Sequence, residues 1–250
     1  MKRILSFVIL LILFSCSTKE QKTVDSLAAT DSVSSESTIG NTEFWPQLDF
    51  ENYKVYTYAD TTVKFNDPSY LGDHEMLEPD YLKTDPSVSR TPEGLIFQLK
   101  NGQAKILKDN TDFEDEEFVR HFFLSSWNDI GQWQVLSMYN ESFSYLLIDQ
   151  TEGTETSIWS DPAFSPDKKF FLTASADIDA GFIPNGFQLW SVKNKKPVKV
   201  WEKELTDWGA DNLIWTRDNY VIGEQVYRDA NLGESNKRII KIRIIYSNAP

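Results

Sequence analysis

Few residues in this 250-residue chain are of a type and spacing that could do chemistry. His74-Glu75-Met76-Leu77-Glu78 comes nearest to a metal motif. A zinc-binding helix carries histidines at i and i+4, so that both ligands face one ion, and here Glu78 holds the second place. Asp73, His74, Glu75, Glu78 and Asp80 could instead form an oxygen-rich cation site, and with Pro79 beside them the competing reading is a solvated acidic loop. Asp177-Ile178-Asp179-Ala180-Gly181 spaces two carboxylates by two with a following glycine. That arrangement can wrap calcium, but the twelve-residue calcium loop is incomplete, and a tight polar turn is the competing reading. The acidic run from Asp112 to Glu117 reads as a turn on the same grounds.

Other catalytic sets fail on inspection. Gly233-Glu234-Ser235-Asn236-Lys237 begins like a nucleophile elbow and ends on lysine where glycine is needed. No glycine-rich phosphate loop is present, and a single cysteine, Cys16, rules out cysteine-based zinc sites and redox pairs. His121 lies in the aromatic stretch Phe118 to Phe123, where a packed, hydrogen-bonded histidine is expected. Trp127, Trp133, Trp159, Trp190, Trp201, Trp208 and Trp215 could stack on sugar rings, but they recur at strand positions and are expected mostly in the core. No cofactor is expected.

The elements that would position these residues are strands. Aromatic and β-branched residues in short alternating runs dominate after Phe44-Trp45-Pro46, and no helical period of useful length follows. The tract from Tyr70 to Glu93, rich in Asp, Glu and Pro, reads as a surface excursion. Leu95 to Leu99 and Ala104 to Leu107 flank Asn101-Gly102, which predicts a tight hairpin with both turn residues at positive φ. Further strands are predicted at Gln132 to Tyr139, Phe143 to Asp149 and Thr156 to Trp159, then at Phe170 to Ala176, Phe187 to Val192 and Val198 to Glu204. A last group covers Asn212 to Trp215, Tyr220 to Tyr227 and Arg238 to Tyr246. The groups recur every 40 to 45 residues or so, about one blade of a propeller.

Before this domain lies a different kind of sequence. Met1-Lys2-Arg3 precedes an apolar run from Ile4 to Phe14, too short for a bilayer core that needs about 20 apolar residues. Residues 1–15 therefore read as a signal peptide. Leu13-Phe14-Ser15-Cys16 resembles the bacterial lipobox, which implies cleavage before Cys16 and acylation of its thiol and amine. Such chains hold a protein stably on a membrane. Ser17, in place of the aspartate that retains enteric lipoproteins in the inner membrane, implies the outer membrane. Residues 16–43 then read as the lipidated cysteine and a flexible tether reaching on the order of 30 Å. Within it Asp25-Ser26-Leu27 and Asp31-Ser32-Val33 resemble the acceptor pattern of O-glycosylated exported proteins, against plain linker composition.

The domain of residues 44–250 carries a second resemblance. Asp161-Pro162-Ala163-Phe164-Ser165-Pro166-Asp167-Lys168-Lys169-Phe170-Phe171-Leu172 is similar to the propeller signature Pro-x-Phe-Ser-Pro-Asp-Gly-Lys, and Phe187-Gln188-Leu189-Trp190-Ser191-Val192 to the Leu-Trp-Asp strand of WD-repeat blades. Lys168 stands where that family has glycine, and Ser191 where it often has aspartate. The likeness implies an all-β fold, a small or incomplete β-propeller of about four to five blades. A β-sandwich with long loops is the alternative.

The formal charge of −13 becomes two units more negative if Lys2 and Arg3 are removed, which excludes nucleic acid as a partner. The expected function is a non-catalytic envelope module. It would meet the membrane through its lipid and bind an envelope protein or a glycan across a loop-bearing face. Two alternatives stand beside it: a carboxylate-dependent enzyme acting on glycans, using a pair among Asp73, Glu75, Glu78, Asp177 and Asp179, and a structural or assembly lipoprotein.

Overall fold

A computed structural model describes residues 48–50, 53–59, 73–228 and 235–246. The signal peptide, Cys16 and the tether with Asp25 and Asp31 lie outside the described residues. No helix among the described residues is long and apolar enough to cross a membrane.

Strands β1 (Leu48–Phe50) and β2 (Tyr53–Ala59) precede helix α1 (Asp73–Leu82). A first antiparallel sheet follows, of β3 (Val88–Thr91), β4 (Gly94–Gln98) and β5 (Ala104–Lys108). The second is β6 (Arg120–Trp127), β7 (Gln132–Met138), β8 (Phe143–Asp149) and β9 (Glu155–Ile158). The third is β10 (Ala163–Phe164), β11 (Phe170–Ser175), β12 (Gly186–Lys193) and β13 (Lys196–Glu204). In the fourth, β14 (Trp208–Trp215), β15 (Tyr220–Arg228) and β16 (Ser235–Tyr246) are completed by β2 and β1. The register from Ile240↔Ala59 to Tyr246↔Tyr53 thus ties the last strand to the first ones.

Apolar alternation on the strands stacks these sheets in chain order. Leu95 and Phe97 of β4 pack on Phe123, Trp133 and Val135 of the second sheet. Leu147 and Ile158 meet Phe171 and Trp190 of the third, whose rings lie 5.8 Å apart and nearly parallel. Leu172, Phe187 and Leu189 meet Trp208, Val221 and Ile242 of the fourth. Strands β7 and β12 sit inside their sheets and are buried along almost their whole length, so both of their faces are apolar or hydrogen-bonded. Successive antiparallel meanders joined face to face make a propeller-like all-β fold of four sheets. Among the described residues no apolar cluster joins the fourth sheet to the first, and Ile106 on the first sheet's far face is 44 % exposed.

Three local features differ from expectation or explain it. The hairpin between β4 and β5 forms, but only Gly102 has positive φ (87°), with Gly102 N–H bonding the Leu99 carbonyl and Leu99 N–H the Gln103 carbonyl. The loop is therefore a type I turn plus one left-handed residue rather than a two-residue turn. The two-residue turn with both φ positive occurs instead at Asn194 (53°) and Lys195 (64°), between β12 and β13. Lys168 also lies at φ 54°, so this position demands the left-handed backbone that glycine gives most readily, and lysine adopts it at some strain.

The tract from Tyr70 to Glu93 is not simply an excursion, because α1 and β3 occupy most of its described part. Tyr81 and Leu82 pack α1 on the apolar cluster between the first two sheets. Pro79 lies inside the helix and lacks the N–H that would reach back to Glu75. What holds the helix there is mainly tertiary: Glu78, only 6 % exposed, points inward.

Candidate functional site

Antiparallel pairing sends the β3–β4, β5–β6, β7–β8 and β11–β12 connections to one end of the fold, and the tight turns at 99–103, 128–131, 150–153 and 194–195 to the other. The turn end is tied together by polar bonds. Gln150, buried, takes Lys100 Nζ at 2.6 Å and donates to Asn128 Oδ1 at 2.9 Å, while Gln132 Nε2 reaches the Lys195 carbonyl at 3.0 Å. The other end carries the long loops and the described clefts.

The β5–β6 connection builds the larger part of that end. It is pinned at its neck by the Asn110↔Val119 bridge and folded by turns from Asp112 to Asp115 and from Asp115 to Phe118. Asn110 Nδ2 and the Glu117 N–H both donate to the Asp115 carboxylate, and these bonds hold it below the usual carboxylate range. The turns bury Phe118 and lift Phe113, 76 % exposed, to stack on it at 4.2 Å. Phe113, Phe118, Phe122, Met138 and Tyr139 line a cleft of about 260 Å³. Its polar wall is the Arg120–Glu75 pair at 2.8 Å, with the Arg120 guanidinium 5.0 Å above the Phe122 ring. Beyond Arg120 lies a wider, shallower depression of about 540 Å³, walled by Arg90, Pro92, Asp109 and Thr111.

Beneath both is a buried ionic cluster. Arg90 grips Glu78 with Nε and Nη2 at 2.8 and 2.7 Å, and its Nη1 donates to Asp109 at 2.6 Å. The cluster serves the free edge of β6. Phe123 N–H donates to Glu78 at 2.8 Å, His121 N–H donates to Asp109 at 2.9 Å, and the His121 carbonyl accepts from Arg90. Side chains here replace a neighbouring strand. Burial works against the Arg90 charge, but Glu78 and then Asp109 outweigh it and hold the guanidinium above its ordinary value. Burial also pulls the His121 imidazole down, with Asp109 and Glu155 opposing, and its Nδ1 lies 2.7 Å from Ser137 Oγ.

The residues singled out in the sequence are scattered. Glu78 is locked in that cluster rather than on a solvated loop, because the helix turns it inward. Glu75 lines the aromatic cleft and is spent on Arg120. His74 sits near Phe122, with ring centroids 6.5 Å apart. Asp177 accepts backbone N–H groups from Ala180, Gly181, Phe182 and Ile183, and the bonds outweigh its burial and lower its carboxyl pKa. Its lone pairs organise the loop and leave little for a cation. Asp179 faces Arg228 at 3.3 Å. No group of three or more metal-ligating side chains converges among the described residues. Trp133, Trp190 and Trp208 are buried, whereas Trp127, Trp159, Trp201 and Trp215 are only partly buried, so fewer than half of the seven are in the core.

Sequence reasoning missed a second set of carboxyls. Asp161, in the link from the second to the third sheet, is reached by water yet walled by enough protein that lost solvation pushes its carboxyl up, against a bond from Gln134 and the pull of His74. Asp211, at the bulge of β14, is likewise raised by burial, with Lys237 opposing and Glu224 adding to it. Tyr145 is pushed up by burial and then by the charges of Asp161 and Asp211. A raised carboxyl pKa means stability is fullest below the unfolded value of 3.8 and is lost as pH rises through the folded value. Asp211→Asn is therefore expected to raise the unfolding midpoint at pH 7. The gain should shrink to nothing in titrated denaturation curves well below pH 3.8, where the aspartate too is protonated in both states.

No protein-family model matches the chain, and no curated protein matches it. Among solved structures it is similar to TolB from Acinetobacter baumannii at 17 % identity and a TM-score of 0.26, over 77 % of this chain and 55 % of that one. The chain thus spans about half the length of that structure, and the fold described above rests on strand register alone.

Proposed function

We propose that this chain is an exported, lipid-anchored module of the cell envelope that binds a protein ligand at its loop-bearing end and does not turn it over. The observation that carries this reading is the aromatic cleft, where Phe113 is held open to solvent by a loop fixed through its own hydrogen bonds and Tyr139 stands exposed just past the end of β7. Solvent-facing aromatics in a concave setting are what binding surfaces concentrate. Glu75, Glu78, Asp177 and Asp179 are already spent on Arg120, Arg90, backbone N–H groups and Arg228 in turn. That supports binding over glycan hydrolysis, a reaction that needs two carboxyls free to flank one bond. The Asp73 side chain lies outside the described residues. The anchor rests on Met1 to Cys16 of the sequence.

Two measurements test the two halves. Cys16→Ser is expected to release the protein from the membrane fraction, and retention there would remove the anchor from the reading. A photo-reactive phenylalanine analogue at position 113 is expected to cross-link a discrete partner in intact cells, while the same analogue at 101, on the turn end, gives none. Cross-links from 101 alone, or turnover by the purified protein on a hydrolase panel, would overturn it.

A further inference from the structure

We infer that the cleft beside Phe113 takes a basic protein segment that inserts one large apolar side chain, a conclusion that rests on the binding role proposed above. The volume argues for a side chain. About 260 Å³ falls below the roughly 300–1,000 Å³ of clefts that enclose a whole small ligand, and it suits an anchor residue such as leucine or phenylalanine. The lining argues for an apolar one: the floor is Phe118 and Phe122, both under a tenth exposed, and Phe113 and Met138 form walls with no hydrogen-bonding group.

The rim argues for flanking positive charge. Asp112, Glu114, Asp115, Glu116 and Glu117 are all exposed on the loop that carries Phe113, Glu141 is exposed on the β7–β8 turn, and Glu75 stands on the helix side. Against these there is one cation in the lining, Arg120, and it is already paired with Glu75 and seated over Phe122. Backbone bonds at Asp112 and Asp115 fix the loop, whereas the Glu114, Glu116 and Glu117 carboxylates make no hydrogen bond among the described residues. They are solvated and available to a partner. Exposed faces of Phe113 and Tyr139 also attract lysine or arginine through their ring quadrupoles. Acidic rim and aromatic wall thus select the same partner charge, while the floor selects the anchor.

The test uses the purified full chain in mild detergent and fluorescence anisotropy of short labelled peptides. One alternates lysine with leucine and phenylalanine, a second carries glutamate for lysine, a third carries serine for the apolar residues, and a neutral hexasaccharide serves as a competitor. The first peptide is expected to bind and to weaken steeply with salt, the second not to bind, and the third to bind about tenfold more weakly or worse. Phe113→Ser and the triple change Glu114→Lys, Glu116→Lys, Glu117→Lys should each weaken the first peptide about tenfold, and Glu152→Lys at the turn end should not. These residues are exposed, and an unchanged thermal unfolding curve confirms that each variant is folded. No binding of the lysine peptide, equal binding by Phe113→Ser, or preference for the glutamate peptide or the sugar overturns the inference. Any of these leaves the binding role standing if position 113 still cross-links in cells, so the two failures are told apart.

Discussion

Arg90→Met is expected to destabilise the fold by about 3–5 kcal/mol, read as a fall in the urea midpoint, because it strands two carboxylates that are 8 % and 7 % exposed. Buried ionic triads can often be exchanged for apolar residues at little cost, since desolvation consumes most of the attraction. This triad differs in also accepting the N–H groups of Phe123 and His121 along the edge of β6. Replacing Glu78, Arg90 and Asp109 together by Met, Met and Leu therefore should not restore stability, because each orphaned N–H costs roughly 1–3 kcal/mol. Changing them to Gln, Met and Asn should recover most of the loss, since amide oxygens still accept those bonds without charge. If the apolar triple variant proves as stable as the parent, the edge-capping role assigned to the cluster is wrong. The consequence reaches the surface, because the same β6 edge carries Arg120 and Phe122 into the cleft.

Much of the fold was legible because burial leaves period-two traces. β7, β8, β11, β12 and β15 lie within a residue or two of where alternation and aromatic content put them. The pairing of β2 with β16 was not legible, since it joins segments near opposite ends of the chain and no local pattern encodes such a register. Helix α1 was hidden for a specific reason: the residue it turns inward at mid-helix is a glutamate, so its apolar stripe is broken. The partner that makes this tolerable, Arg90, lies twelve positions away on a strand too short to stand out.

The candidate site divides the same way. Read as a charge run, Asp112 to Glu117 is an ordinary turn, and it is one. The informative residue was Phe113 in its middle, an aromatic side chain among five acids that stacks on Phe118 and still leaves most of its surface to solvent. Met138 and Tyr139, which complete the cleft, stand at and just past the end of β7, whose other residues are all buried. The raised carboxyls of Asp161 and Asp211 owe their shift first to burial, which only the assembled fold produces.

Gly209→Ala is expected to cost about 3 kcal/mol or more, although it adds one methyl group. A Cβ there would lie 2.2 Å from Asn185 Oδ1, 2.4 Å from the Ser175 carbonyl oxygen and 2.7 Å from the Ala176 Cα. Two of these atoms are backbone at the end of β11, so relief requires moving β14 away from the third sheet. The same stretch is clamped by Asn185 Nδ2, which donates to the Leu205 and Trp208 carbonyls at 2.6 and 2.9 Å. Separation would open the apolar contact of Trp208 and Ala210 with Leu172, Ala174 and Phe187. Gly102→Ala supplies the comparison, since a Cβ there meets nothing within 4 Å and the loss is that of left-handed backbone alone, about 1 kcal/mol. Adding Asn185→Ala to Gly209→Ala removes one clash and the clamp together and should rescue little. If that double variant regained parental stability, the close approach of backbone between the third and fourth sheets would not be what makes glycine necessary at 209. If it does not, the stacking of successive sheets depends on this contact as much as on the apolar cluster beside it.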